Sequence, residues 1–342
     1  MRNLWVLGRV SPSHWFRGLP AVRPAALAAV LAALVLPGCA SLPAAIDETT
    51  LDTGTAVRLG GVPFFPDESY YCGPATLAAL LTWSGAPSTP AELSDELIIP
   101  ERQGTLAPEM LGAARRAGRL AFKLQPTMAA IERELAAGHP VVALQNLAFN
   151  WWPRWHYAVV TGSLPDSDTV ILNTGVRQAR PVDATVFDRT WARSGRWAAV
   201  VTAPGQLPAT ADADRLFTAI ASLENAAGAE ASMPYWRTAA ARWPHDGRYV
   251  VGKANAEYAL GHHDTALATL EAASDDVDND RDVVLNNLAS LLAEKGRLER
   301  AEVTAYQALY LTKEHVPAIR ETLADIRCRR TPDCTLPKSA RE

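Results

Sequence analysis

The stretch Tyr71-Cys72-Gly73-Pro74-Ala75-Thr76 offers a thiol in a setting where chemistry can use it. Leu77 to Trp83 follows, with apolar residues at helical spacing. Pro74 suits the first turn of a helix, where its missing N–H is not needed. This predicts Cys72 at or just before a helix N-terminus, where free backbone N–H groups and the helix dipole lower a thiol pKa. The competing reading is an inert, packed cysteine. His156 lies 84 residues downstream, beside Trp151, Trp152 and Trp155. An imidazole there can take the thiol proton, balance the thiolate and protonate a leaving group. A structural histidine in an aromatic cluster is the alternative. Such a base needs a third group to fix its tautomer. Asn173, at the end of the next predicted strand, fits if a hairpin brings it beside His156; otherwise it is a polar strand-end residue.

The elements that must position these groups follow from periodicity. Gly61 to Phe65 reads as an apolar strand before the cysteine. Ser88-Thr89-Pro90-Ala91-Glu92 has the cap, proline and acid of a helix start. Gly104-Thr105 opens another helix that ends near Gly118, and Thr127 caps a third that Gly138 closes. The period then changes to short apolar strands: Pro140–Gln145, Tyr157–Gly162, Thr169–Asn173 and Trp197–Val201. Pro165 to Asp168 turns the second into the third. Helices first and an antiparallel sheet second make an α+β domain over residues 58–204.

Composition bounds the remainder. The 342 residues are 48% hydrophobic and 20% charged, a globular composition with room for two or three domains. A net charge of −4 carries no basic signature for nucleic acid. Residues 1–38 hold four arginines and no acid, so the rest of the chain stands at −8. The apolar run from Ala25 to Leu36 is too short to span a membrane and reads as an export signal. It ends in Leu36-Pro37-Gly38-Cys39, which resembles a bacterial lipoprotein signal with Cys39 as the lipidated residue. An ordinary secretory signal is the alternative. Ala40 stands where an aspartate would favour inner-membrane retention, so the expected address is the periplasmic face of the outer membrane. Residues 39–57 read as a tether. Three cysteines remain. Cys328 and Cys334 can close a small disulfide loop in the tail, residues 328–342, in an oxidising compartment. Cys72 is then the odd thiol.

From Ala211 the period is helical to residue 327. Gly261-His262-His263-Asp264-Thr265-Ala266 aligns with Gly296-Arg297-Leu298-Glu299-Arg300-Ala301 at an offset of 35. Ala273 and Ala308 follow at the same distance. The pattern resembles tetratricopeptide repeats, with a degenerate first unit from Leu216 to Pro244. Asn286 and Asn287 read either as polar residues of a concave surface or as solvated helix surface. Adjacent His262 and His263 point apart on a helix, so no metal site is implied.

The order of parts resembles the papain-like cysteine peptidases of the bacteriocin-processing type: Val-Pro-Phe, then Cys-Gly-Pro-Ala at a helix start, then His-Tyr-x-Val-Val-x-Gly on a strand. The likeness extends to lipoproteins that carry this domain before tetratricopeptide repeats. It implies Cys72 as nucleophile, His156 as base, a peptide or protein substrate, a protein partner for the repeats and no cofactor. The family places a glutamine five or six residues before the cysteine, as an oxyanion donor. Here those positions hold Asp67 and Pro66. A carboxylate cannot donate and repels a developing oxyanion, which leaves the Cys72 N–H as the remaining donor. A decayed, non-catalytic scaffold and an acyl or peptidyl transferase are the alternatives to a peptidase.

Overall fold

The structure is a computed structural model that describes residues 56–67, 71–99, 104–331 and 334. The export segment, Cys39 and nearly all of the tether lie outside the described residues. Among the described residues no helix is long and apolar enough to cross a membrane.

Seven strands form one antiparallel sheet. They are β1 (Val57–Arg58), β2 (Leu120–Lys123), β3 (Val141–Asn146), β4 (Trp155–Leu164), β5 (Thr169–Thr174), β6 (Arg177–Asp183) and β7 (Ala198–Thr202). Their order is β2-β7-β3-β4-β5-β6, and β1 pairs with β4. Period-two alternation sends Val141, Ala143, Ala158, Val160, Ala198 and Val200 to one face. Val142, Tyr157, Val159, Ala199 and Val201 go to the other. Both faces are covered, which is why these strands read as unbroken apolar runs.

Helices α1 (Cys72–Trp83), α2 (Pro90–Leu97) and α3 (Ala107–Arg116) pack on the second face. Helix α2 starts on a full capping box between Thr89 and Glu92. The first face receives α4 (Met128–Ala136), capped by Thr127, and α5 (Ala184–Ala192), capped by Asp183. The same core continues into Leu216, Ile220, Leu223, Tyr235 and Trp236 of α6 (Ala213–Arg242) and Tyr249 of α7 (Gly247–Ala259). The helical region therefore supplies part of the wall of the sheet domain.

Several expectations change. Gly61 to Phe65 is not a strand. Pro63 has no N–H to give a ladder and Gly61 has φ +75°, so the strand ends at Arg58, with a last backbone bond from Leu59 N–H to Thr161 O at 2.8 Å. Helices and strands are interleaved, because β2 lies between α3 and α4 and pairs with the last strand, β7. The helix expected from Gly104 begins at Ala107, and Gly104 bridges to Ile99 instead. Strands β1, β2 and β6 and helix α5 do not appear among the elements expected from the sequence. Strand β6, Arg-Gln-Ala-Arg-Pro-Val-Asp, is an edge strand, where a proline and polar side chains are tolerated.

Beyond α7 come α8 (His263–Ala273), α9 (Arg281–Glu294), α10 (Leu298–Leu311) and α11 (Val316–Arg329). Helix α6 breaks at Gly228, where φ is +83°. The turns between α7 and α8 and between α9 and α10 are copies: Gly261 and Gly296 have φ +82° and +76°. His262 and Arg297 follow with nearly identical backbone angles, and Ala266 and Ala301 are both fully buried. Asn286 and Asn287 are buried in α9, neither solvated nor displayed. His263 stacks on Tyr258 with ring centroids 4.3 Å apart. Cys328 and Cys334 are joined in a disulfide, with Cα atoms 5.1 Å apart.

Candidate active site

Cys72 is the first residue of α1 and is buried under the strand mouth of β4. Gly73 is needed beside it: a Cβ there would lie 2.4 Å from Thr105 Oγ1, so the helix start could not seat against the Thr105 loop. His156 is the second residue of β4, in register with Gln145 of β3. Sheet register and the helix start converge. The Cys72 Sγ, a His156 ring nitrogen and an Asp67 carboxylate oxygen all lie within 4.8 Å of one another. They open onto a pocket of about 1130 Å³. Asp67 is pinned by its backbone N–H, which donates to Gly175 O at 3.1 Å.

His156 Nε2 lies 2.7 Å from Thr174 Oγ1. With Nε2–H donated to that hydroxyl, Nδ1 is left as the nitrogen that can receive the thiol proton. Asn173 does not make this bond. Its side chain points to the other side of the β5–β6 turn, where Oδ1 accepts from Ala179 N–H at 2.9 Å. The side chain that meets the imidazole is thus one residue later, Thr174. No sequence pattern marks a threonine at a strand end for that role; a bulge in β5–β6 pairing between Leu172 and Thr174 decides which side chain faces the imidazole. The aromatic-cluster reading of His156 needs packed tryptophans. Trp151, Trp152 and Trp155 are instead 79%, 68% and 54% exposed.

Burial pushes the Cys72 thiol up. Backbone N–H groups of Tyr157, Gly73 and Cys72 pull it down, and the Asp67 carboxylate pushes it further up. The helix-start effect is therefore present but outweighed, which reverses the expectation of a depressed thiol. Burial, with the positive charge of Arg154, pushes the His156 imidazole down. Both shifts favour a neutral thiol beside a neutral imidazole. Burial also pushes the Asp67 carboxyl up, against its own backbone N–H.

A free thiol and an imidazole at the junction of a helix start and an antiparallel sheet define a cysteine-peptidase-like domain. Residues 59–199 match the family model described as Peptidase_C39 like family. No curated protein matches the chain. Among solved structures, the chain is similar to a candidate C39-like peptidase from Bacillus anthracis, at 17% identity and a TM-score of 0.36, over 43% of this chain and 98% of that one. It is also similar to the peptidase domain of Streptococcus ComA, a bifunctional ABC transporter of a quorum-sensing pathway. That match has 20% identity and a TM-score of 0.34, over 42% of this chain and 98% of that one.

Proposed function

We propose that this protein is a cysteine peptidase, with Cys72 as nucleophile, His156 as general base and acid, and Thr174 orienting the imidazole. The observation that carries the reading is the meeting of Cys72 and His156 in one open pocket, with His156 Nε2 engaged by Thr174. From the neutral pair, Sγ attacks the scissile carbonyl carbon as Nδ1 takes the thiol proton. The Cys72 N–H donates to the resulting oxyanion. A protonated Asp67 carboxyl, favoured by burial, can donate as well where a carboxylate cannot. Nδ1–H then passes its proton to the departing amine as the C–N bond breaks, and water hydrolyses the thioester. In the test, the full chain cleaves a mixed peptide library, while Cys72→Ala and His156→Ala lower turnover by about 10²–10⁴. Cleavage that survives both variants would refute the assignment.

The alternative of a non-catalytic scaffold is favoured by one observation, the acid at position 67 beside a thiol that burial holds protonated. Such a protein would bind the same peptides and cleave none.

The export signal and Cys39 support a lipid-anchored protein at the periplasmic face of the outer membrane. The wild type is expected in the membrane fraction and Cys39→Ser outside it; a wild type found wholly soluble overturns the anchor. The helical region serves in this reading as tetratricopeptide-type repeats that bind a protein partner. The 35-residue offset with matching turn angles and the exposed Val303, Tyr306 and Tyr310 support that role.

A further inference from the structure

Three arginines, Arg154, Arg177 and Arg180, line the same pocket as Cys72 and His156. Among the described lining residues the one carboxylate is Asp67. None of the three guanidinium groups has an ion pair or side-chain hydrogen bond within the described residues, whereas arginines elsewhere, such as Arg196 and Arg248, are held by acids. The concentration of positive charge is built by the fold. In a regular strand, residues three apart point to opposite faces. Arg177 and Arg180 are three apart in β6, and both line the pocket. Ala179 between them has φ +51°, and Asn173 Oδ1 holds its N–H at 2.9 Å. This irregularity resets the alternation and turns both side chains to one side. Arg154 joins them from β4's approach, two residues before His156.

Position relative to the base sets which part of a substrate they meet. The group that protonates the leaving amine must touch that amine. His156 rests on Thr174, and Thr174 is in register with Arg177. The arginines therefore flank the leaving-group side of the pocket. Guanidinium groups in this setting recognise carboxylates, with bidentate geometry available to each. We propose that the site binds substrates with carboxylates on the C-terminal side of the scissile bond. Those carboxylates come from Asp or Glu side chains or from the peptide's own terminus. The inference rests on the peptidase reading for its direction along the substrate, and on geometry alone for its charge preference.

The test uses the full chain with Cys72→Ala and fluorescently labelled peptides of one sequence in four forms. These are neutral and amidated, acidic and amidated, neutral with a free C-terminus, and Lys-containing and amidated. Exposed ion pairs are individually weak, so three together predict about a tenfold preference for one or both carboxylate forms over the neutral amide. The second and third forms tell side-chain from terminal carboxylate. Added salt should erase the preference. Arg177→Glu with Arg180→Glu should turn it toward the Lys peptide, and Arg177→Lys with Arg180→Lys should keep it in part. These side chains are exposed, and unchanged thermal unfolding would show that the variants fold. Equal affinity for all four peptides, or a preference that survives charge reversal, overturns the inference. Cleavage of all four peptides by the wild type, with no charge preference in binding to Cys72→Ala, would sink this inference and spare the peptidase; charge-selective binding to Cys72→Ala with no cleavage of any peptide by the wild type would do the opposite.

Discussion

In the sheet domain Cys72 and His156 stand 84 residues apart, and the first strand after α3 finds its partner only at β7. In the helical region each helix packs on its sequence neighbours, and Gly261 and Gly296 close equivalent turns 35 residues apart. The first region makes a site by non-local register; the second makes a surface by local repetition. Yet the two share one core. Glu134 of α4 is fully buried and accepts bonds from Thr210 N–H at 2.8 Å and Ala209 N–H at 3.1 Å, in the segment that leads into α6. It also faces His139 Nδ1 at 2.7 Å. Tyr235 Oη accepts from Leu120 N–H at 3.2 Å and donates to Thr202 O at 2.8 Å, between the ends of β2 and β7. A helical region that supplies groups to the sheet of its neighbour is not an appended module.

The strongest way to break that view is at the seam. Glu134→Ala leaves buried donors without an acceptor and should cost about 3 kcal/mol. Tyr235→Phe removes two bonds and should cost about 2 kcal/mol. Both should shift the unfolding of sheet and helices together; a helical transition that stays in place would show two independent regions. The seam also carries a pH signature. Burial opposes the Glu134 charge, but His139, Thr210 and Ala209 outweigh it and hold the carboxyl below its ordinary value of 4.5. The stabilisation is thus fully present above that pH and is lost as pH falls through the lower, folded value. Stability of Glu134→Gln, measured by denaturant titration across this range, should fall less steeply than wild type.

Next in size is the site itself. Thr174→Val removes the acceptor for His156 Nε2–H and should lower kcat about tenfold without changing stability as the seam variants do. Asn173→Ala should spare the imidazole and loosen the Ala179 turn; a larger kcat loss in Asn173→Ala than in Thr174→Val would return the orienting role to Asn173. Smallest is the tail. Reducing the Cys328–Cys334 bond, which closes a very short loop, should remove at most about 2 kcal/mol, confined to the end of α11. Hydrogen exchange that quickens in the sheet domain on reduction would contradict that locality.

Much of this was legible in the chain because the signals are local. Capping at Thr89 and Thr127, the helix from Cys72 to Trp83 and the strands around Val142, Val159 and Val200 each depend on residues within one turn or one strand of each other; the 35-residue offset shows as a direct match between two stretches of the chain. The pairing of Cys72 with His156 was also readable, since thiol and imidazole chemistry narrows the choice. Edge strand β6 was not, because its polar, proline-bearing sequence resembles a loop until a neighbour satisfies one side. Four decisions belonged to the tertiary structure: Thr174 in place of Asn173 at the imidazole, the upward shift of the Cys72 thiol, the convergence of Arg177 and Arg180, and the α6 wall on the sheet. Each depends on a bulge, on burial or on a contact between distant segments. Side-chain direction and desolvation are set by what surrounds a residue in space, and neighbours along the chain do not contain that information.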